Sequence, residues 1–117
     1  MPIPFQDTCI AACRECVSAC EDWLKQGFPI RSGPDGQHRA ELCQSAIRLC
    51  QLVMEELKLR SAFAIQACAL GTVICRACAE ECAALAEPAG QACAAACFRA
   101  AEECHAVATM TAARGPA

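Results

Sequence analysis

The sequence predicts an all-α protein, an antiparallel up-down-up-down four-helix bundle with a cysteine-lined core. Three observations carry that prediction. Cysteines and small apolar residues recur at helical steps of three and four along most of the chain, as in "CIAACRECVSAC" at 9–20. The helix-breaking residues gather in a few short places, above all "GFPIRSGPDG" at 27–36. Finally, 117 residues make one modest domain, residues 1–117, and short connections set neighbouring helices antiparallel.

The first helix runs over about 7–26, with Asp7 or Thr8 available as a cap. Three glycines and two prolines in the next ten residues make a loop. The second helix spans about 37–59, with an inward stripe of Cys43, Ile47, Cys50, Met54 and Leu57. Little breaks a helix around "LRSAF", yet one rod from 37 to 86 would reach roughly 75 Å, too long for so small a domain. A tight turn capped by Ser61 is therefore expected there. The third helix covers about 62–86 and stops before Pro88; the fourth covers about 89–111.

Composition narrows function. The net charge is −3, so the basic face that nucleic acid requires is missing. No apolar run reaches the roughly 18 residues of a membrane span. The opening "MPIPFQDTC" shows no basic n-region and no apolar h-region, which predicts a cytoplasmic chain. Thirteen of the residues are Cys, against one Trp and no Tyr. In a reducing compartment so many thiols point to metal or redox chemistry.

When the four stripes are laid antiparallel, all thirteen cysteines fall on the bundle axis: Cys9, Cys13, Cys16 and Cys20; Cys43 and Cys50; Cys68, Cys75, Cys78 and Cys82; Cys93, Cys97 and Cys104. Cβ atoms at i and i+4 of a helix stand roughly 5–6 Å apart, too far for the 3.5–4.5 Å of a disulfide. With metal–sulfur bonds of about 2.3 Å, one ion spans the pairs Cys9/Cys13, Cys16/Cys20, Cys78/Cys82 and Cys93/Cys97. The remaining cysteines can complete or bridge such sites.

Soft thiolates select Cu(I), zinc or iron–sulfur clusters. Stacked zinc tetrathiolates would each carry −2 into a dry core, whereas Cu(I) with about one thiolate per ion stays near neutral. Empty, the protonated thiol is a small hydrophobe. Multiple Cu(I) ions per chain are the first reading. Zinc or mixed soft-metal binding or delivery, as in a metallochaperone, and thiol redox work remain alternatives. Cys13/Cys16 and Cys75/Cys78 imitate CxxC motifs, but mid-helix rather than at the helix N-terminus that lowers a catalytic thiol's pKa. Met54 and His105 are further soft or borderline candidates near the end of the bundle formed by residues 59–61. His38 and the glutamates Glu15, Glu21, Glu80, Glu81, Glu102 and Glu103 belong to a solvated face. Ala69, Ala77, Ala94 and Ala95 suggest faces for association between chains. Neither a Ser/His/Asp set nor a phosphate loop is present, so no enzyme is predicted.

The runs "CRACAEEC" (75–82), "CAAAC" (93–97) and "AAEECH" (100–105), on a short helical chain, resemble the bacterial copper storage protein family, over roughly residues 7–110. The resemblance implies a four-helix bundle that assembles into a tetramer, holds many Cu(I) ions through cysteine thiolates and, lacking an export signal, works in the cytoplasm. Its metal positions would be the thirteen cysteines and, at a bundle mouth, His105. Two departures stand out. The second helix has only two cysteines, and "LAEPAGQAC" lacks the histidines often found at that turn.

Overall fold

The computed structural model describes residues 5–26 and 34–113. Four helices follow one another: α1 (Gln6–Lys25), α2 (Pro34–Leu59), α3 (Ala64–Ala83) and α4 (Pro88–Ala113). Each packs against its neighbours in sequence, and α1 packs against α4, which closes the ring around one axis. The fold is a four-helix bundle, and among the described residues there is no strand. Below, the end holding the α3–α4 turn is called the upper end. The end holding the α2–α3 turn is called the lower end.

Helix boundaries follow local chemistry. Of the loop expected at 27–36, residues 27–33 lie outside the described residues. Pro34 and Asp35 belong to α2 instead. Proline suits a first helical position because its missing N–H has no partner there anyway, and Asp35 faces the positive end of the helix dipole. Neither Asp7 nor Thr8 caps α1. The N-cap is Phe5, in the left-handed region at φ 62° with no side-chain cap. Asp7 sits in the first turn, and the Thr8 hydroxyl donates to the Phe5 carbonyl at 3.0 Å.

The expected break near Ser61 is present, but Ser61 is not the cap. Helix α2 ends in a Schellman arrangement: the Ser61 N–H donates to the Glu56 carbonyl and the Arg60 N–H to that of Leu57, both at 3.1 Å. Arg60 takes the left-handed position at φ 51°, usually glycine's. The Ser61 hydroxyl donates to the Glu56 carboxylate and accepts from the Phe63 N–H, and α3 starts at Ala64. At the upper end the Gln91 amide donates to the carbonyls of Ala83 and Leu85, closing the α3–α4 turn.

The inward stripe of α2 differs from expectation. Ala46 and Val53 are fully buried, whereas Ile47 and Met54 are half-buried on the flank. Both choices pass through Cys43, Cys50 and Leu57, so periodicity alone could not separate them. Space does. A Cβ placed on Gly71 of α3 would lie 3.2 Å from Val53 Cγ2 and 3.4 Å from Cys104 Sγ. The helices approach so closely there that only small residues fit on the axis. Of the alanines assigned to outer faces, Ala69 and Ala95 are exposed, but Ala94 is buried.

Candidate metal centre

Every one of the thirteen cysteine side chains is 0% exposed, and all are free thiols. The helical stride forces this: residues three and four apart share one face, and burying that face buries every sulfur on it. The closest sulfur contacts run between helices rather than along them. Helices α1 and α4 meet through Cys16–Cys97 at 3.5 Å, Cys20–Cys93 and Cys20–Cys97 at 3.6 Å, and Cys9–Cys104 and Cys13–Cys104 at 3.8 Å. Helices α2 and α3 meet through Cys43–Cys78 and Cys50–Cys75, both at 3.6 Å. A disulfide needs about 2.05 Å. A metal ion with bonds of about 2.3 Å fits between sulfurs at these separations.

Four sets of sulfurs lie within 4.8 Å of one another among the described residues. Descending from the upper end, they are Cys43, Cys78, Cys82 and Cys93; Cys20, Cys78, Cys93 and Cys97; Cys16, Cys50 and Cys75; and Cys9, Cys13 and Cys104. Cys68 lies beside the lowest set, its thiol perturbed by Cys104 and Cys9. The sets are linked, since Cys13 and Cys16 both reach Cys50. The result is a continuous column of soft donors with no other side-chain chemistry in it. Thr72, the one polar residue buried among the described residues, spends its hydroxyl on the Cys68 carbonyl at 2.9 Å.

His105 and Met54 stand apart from the column. His105 is exposed although its neighbour Cys104 is buried. One residue along a helix turns a side chain by about 100°, so adjacent positions cannot both face the axis. Met54 is half-buried against the core, with Val53 taking the inward place. His38 is exposed, as are Glu15, Glu21, Glu80 and Glu102; Glu81 and Glu103 are partly covered.

Proton sharing organises each set. Cys16 is held well below the ordinary thiol range because it accepts hydrogen bonds from Cys20, Cys50, Cys75 and Cys97. Cys93 is lowered in the same way by Cys20, Cys43, Cys78 and Cys82, and Cys9 by Cys104, Cys13 and Cys68. Their donors hold protons more tightly. Cys50 is pushed up by its hydrogen bonds to Cys13, Cys16 and Cys75 and by burial. Cys104 is raised by Cys13, Cys68, Cys9 and burial, and Cys82 by Cys43, Cys78, Cys93 and burial. A buried thiolate is tolerated only where neighbouring thiols solvate it. A soft cation can take over that role, and the protons then leave.

The two ends of the column are closed differently. Above the upper set lies Trp23, fully buried, its ring edge resting on Gly90, where an added Cβ would lie 3.5 Å away. Arg39, one turn before Cys43, places its Nε 3.9 Å from the carboxylate of Glu81, which adjoins Cys82. At the lower end hydrocarbon replaces sulfur, with Val53, Leu57, Ala64 and Val107 all buried.

The sequence reading anticipated the i,i+4 pairs but did not rank the cross-helix contacts, which the structure brings to between 3.5 and 3.8 Å. Their signal was the antiparallel alignment of stripes, which places residues by level but not by distance.

Comparison with known proteins places this geometry. A family model described as copper storage protein matches residues 5–109. A cysteine-rich protein of Bacillus subtilis, YhjQ, is 32% identical over 108 residues, covering 89% of this chain and 96% of its own. The structure of a Cu(I)-bound copper storage protein superposes with a TM-score of 0.77 at 31% identity, over 89% of this chain and 98% of that one. The metal-free copper storage protein 3 of Bacillus subtilis gives 0.78 at 33% identity, over 87% and 97%. A protein of Nitrosospira multiformis shares the fold at 24% identity and a TM-score of 0.78, over 91% and 96%.

Proposed function

This chain belongs to the copper storage protein family, and we propose that it stores Cu(I), binding many ions along the bundle axis through the thirteen cysteine thiolates. One observation carries the reading: all thirteen sulfurs are buried in one linked column, with none left outside. Charge selects the ion. At about one thiolate per ion, Cu(I) loading stays near neutral however far it proceeds, whereas filling the whole column with tetrathiolate divalent ions would build up charge in the low-dielectric core. Two- and three-coordinate binding asks only for the pairs and triplets that recur down the column. Sequestered away from water, the ions are kept from redox cycling.

The ligands on this reading are Cys9, Cys13, Cys16, Cys20, Cys43, Cys50, Cys68, Cys75, Cys78, Cys82, Cys93, Cys97 and Cys104. His105, being exposed, would serve only as a surface contact for arriving or departing ions, and Met54 as a flanking thioether. A non-enzymatic role suits thiols this deeply buried, because reactive cysteines are partly exposed. A delivery protein would instead carry one or two ions at an exposed site. A cytoplasmic location suits thiols that must stay reduced, and no described helix is long and apolar enough to cross a membrane. Assembly into a homotetramer is supported by exposed apolar side chains on α2 and α3, among them Leu52, Phe63, Leu70 and Val73.

The test is an anaerobic titration of reduced protein with Cu(I) against a chromophoric Cu(I) chelator. About a dozen ions per chain are expected, one for each thiolate or nearly so. Saturation at one or two ions would overturn storage in favour of delivery.

A further inference from the structure

The two uppermost sulfur sets are not separate sites. Cys78 and Cys93 belong to both. Together the sets comprise six cysteines drawn from all four helices: Cys20 of α1, Cys43 of α2, Cys78 and Cys82 of α3, and Cys93 and Cys97 of α4. The lower sets bring three sulfurs each within mutual reach, the lowest with Cys68 beside it, and neither shares a sulfur with another set.

A tetrahedral ion with bonds of about 2.3 Å to sulfur requires its ligands roughly 3.8 Å apart. Within the cage Cys20–Cys93, Cys20–Cys97 and Cys43–Cys78 are each separated by 3.6 Å. Two tetrahedra sharing the Cys78–Cys93 edge therefore account for all six sulfurs with no ligand left over. Cys20 and Cys97 complete one tetrahedron, and Cys43 and Cys82 complete the other. Charge favours the shared form. Two independent zinc tetrathiolates would carry about four negative charges into the core, and sharing two thiolates halves that. The Arg39 guanidinium, one turn from Cys43, has a side chain only 14% exposed, and its Nε lacks a hydrogen-bond partner.

We propose that this six-cysteine cage is a second kind of metal site, a binuclear centre that takes two divalent tetrahedral ions of the zinc class when Cu(I) is scarce, with Cys78 and Cys93 as bridging thiolates. Filling it displaces the protons that those six sulfurs share and leaves the lower column open. The inference does not rest on the copper reading. It needs only the cage, and a chain that stored no copper would still offer it.

The experiment is an anaerobic titration of the reduced, metal-free full chain with Co(II), a coloured stand-in for Zn(II), followed by displacement with Zn(II). Two equivalents should develop the intense visible bands of tetrahedral cobalt thiolate, and Zn(II) should bleach them in the same ratio. After Zn(II) loading, a thiol-labelling reagent applied in denaturant just sufficient to expose every thiol of the metal-free chain should spare the six cage cysteines and modify the others, read by peptide mass mapping. Cys78→Ser and Cys93→Ser should each reduce uptake from two ions to one or fewer. Leu59→Ala, an exposed position outside the column, should leave it at two. Uptake of a single ion by the wild type, or protection of Cys16, Cys50 and Cys75 equal to that of the cage, would each overturn the proposal. A parallel Cu(I) titration of the same preparation keeps the two readings apart, since its capacity stands or falls independently of the cobalt result.

Discussion

The upper and lower ends of this bundle are built on the same four helices yet are held together by different atoms. At the upper end six sulfurs occupy the axis beneath a single indole. At the lower end the axis passes from Cys9, Cys13, Cys68 and Cys104 into Val53, Leu57, Ala64 and Val107. Hydrocarbon burial contributes about 1.5–3 kcal/mol for each large side chain, whether or not metal is present. A protonated thiol contributes less, and its larger contribution comes only when an ion replaces its proton. The lower end therefore holds the empty protein with hydrocarbon, Trp23 being its counterpart above, and the upper end concentrates ligands. A storage bundle needs both, because a core made wholly of ligands would have little to hold it before loading.

Truncating the apolar anchors should break this contrast most strongly. Trp23→Ala removes the largest fully buried side chain at the upper end and is expected to cost about 3–5 kcal/mol. Leu57→Ala should cost about 2–5 kcal/mol at the lower end. Both are measurable by urea unfolding of the metal-free protein. Only Trp23→Ala should also hasten removal of bound Cu(I) by a chelator, because only that end has ligands directly beneath its cover. Equal removal rates for the two variants would dissolve the distinction between the ends.

Ligand removal probes it from the other side. The double variant Cys78→Ser/Cys93→Ser deletes two sulfurs that each belong to two sets, whereas Cys9→Ser/Cys104→Ser deletes two that share one set. Cu(I) capacity should fall further in the first variant than in the second, as read by the same chelator titration. Stability of the metal-free form should change by only about 1–3 kcal/mol in either, the cost of burying a hydroxyl whose hydrogen bonding is incomplete.

Acidity provides a third test. Loading exchanges protons for ions, so Cu(I) affinity should fall as pH drops, most for sets rich in raised thiols such as Cys50, Cys82 and Cys104. The metal-free protein should respond in the opposite sense. A thiol whose pKa is raised on folding stabilises the fold fully below the unfolded value of about 8.5, and that contribution is lost as pH rises above it. Thermal unfolding of reduced, metal-free protein should therefore show Tm declining above about pH 9. A flat profile there would mean that the raised thiols are not in fact holding their protons.

The smallest effect belongs to the lower turn. Arg60→Gly relieves a left-handed residue at φ 51° and should stabilise the protein by about 1 kcal/mol. Copper capacity should not change, because the turn supplies no sulfur.

The helices, their antiparallel order and the inward placement of every cysteine were legible in the sequence, because a stride of three and four residues ties position along the chain to one face of a helix. So was the preference for a monovalent soft ion, which follows from counting thiolates against charge in a dry core. Other features were decided only when the helices met. Whether Val53 or Met54 faces the axis depends on how closely α3 approaches at Gly71, and whether His105 can reach the column depends on its angle from Cys104. The edge shared by Cys78 and Cys93 exists only because α3 and α4 bring their sulfurs to one level. Periodicity assigns a residue to a face; the rotation and separation of packed helices set the few ångströms that turn a face into a site.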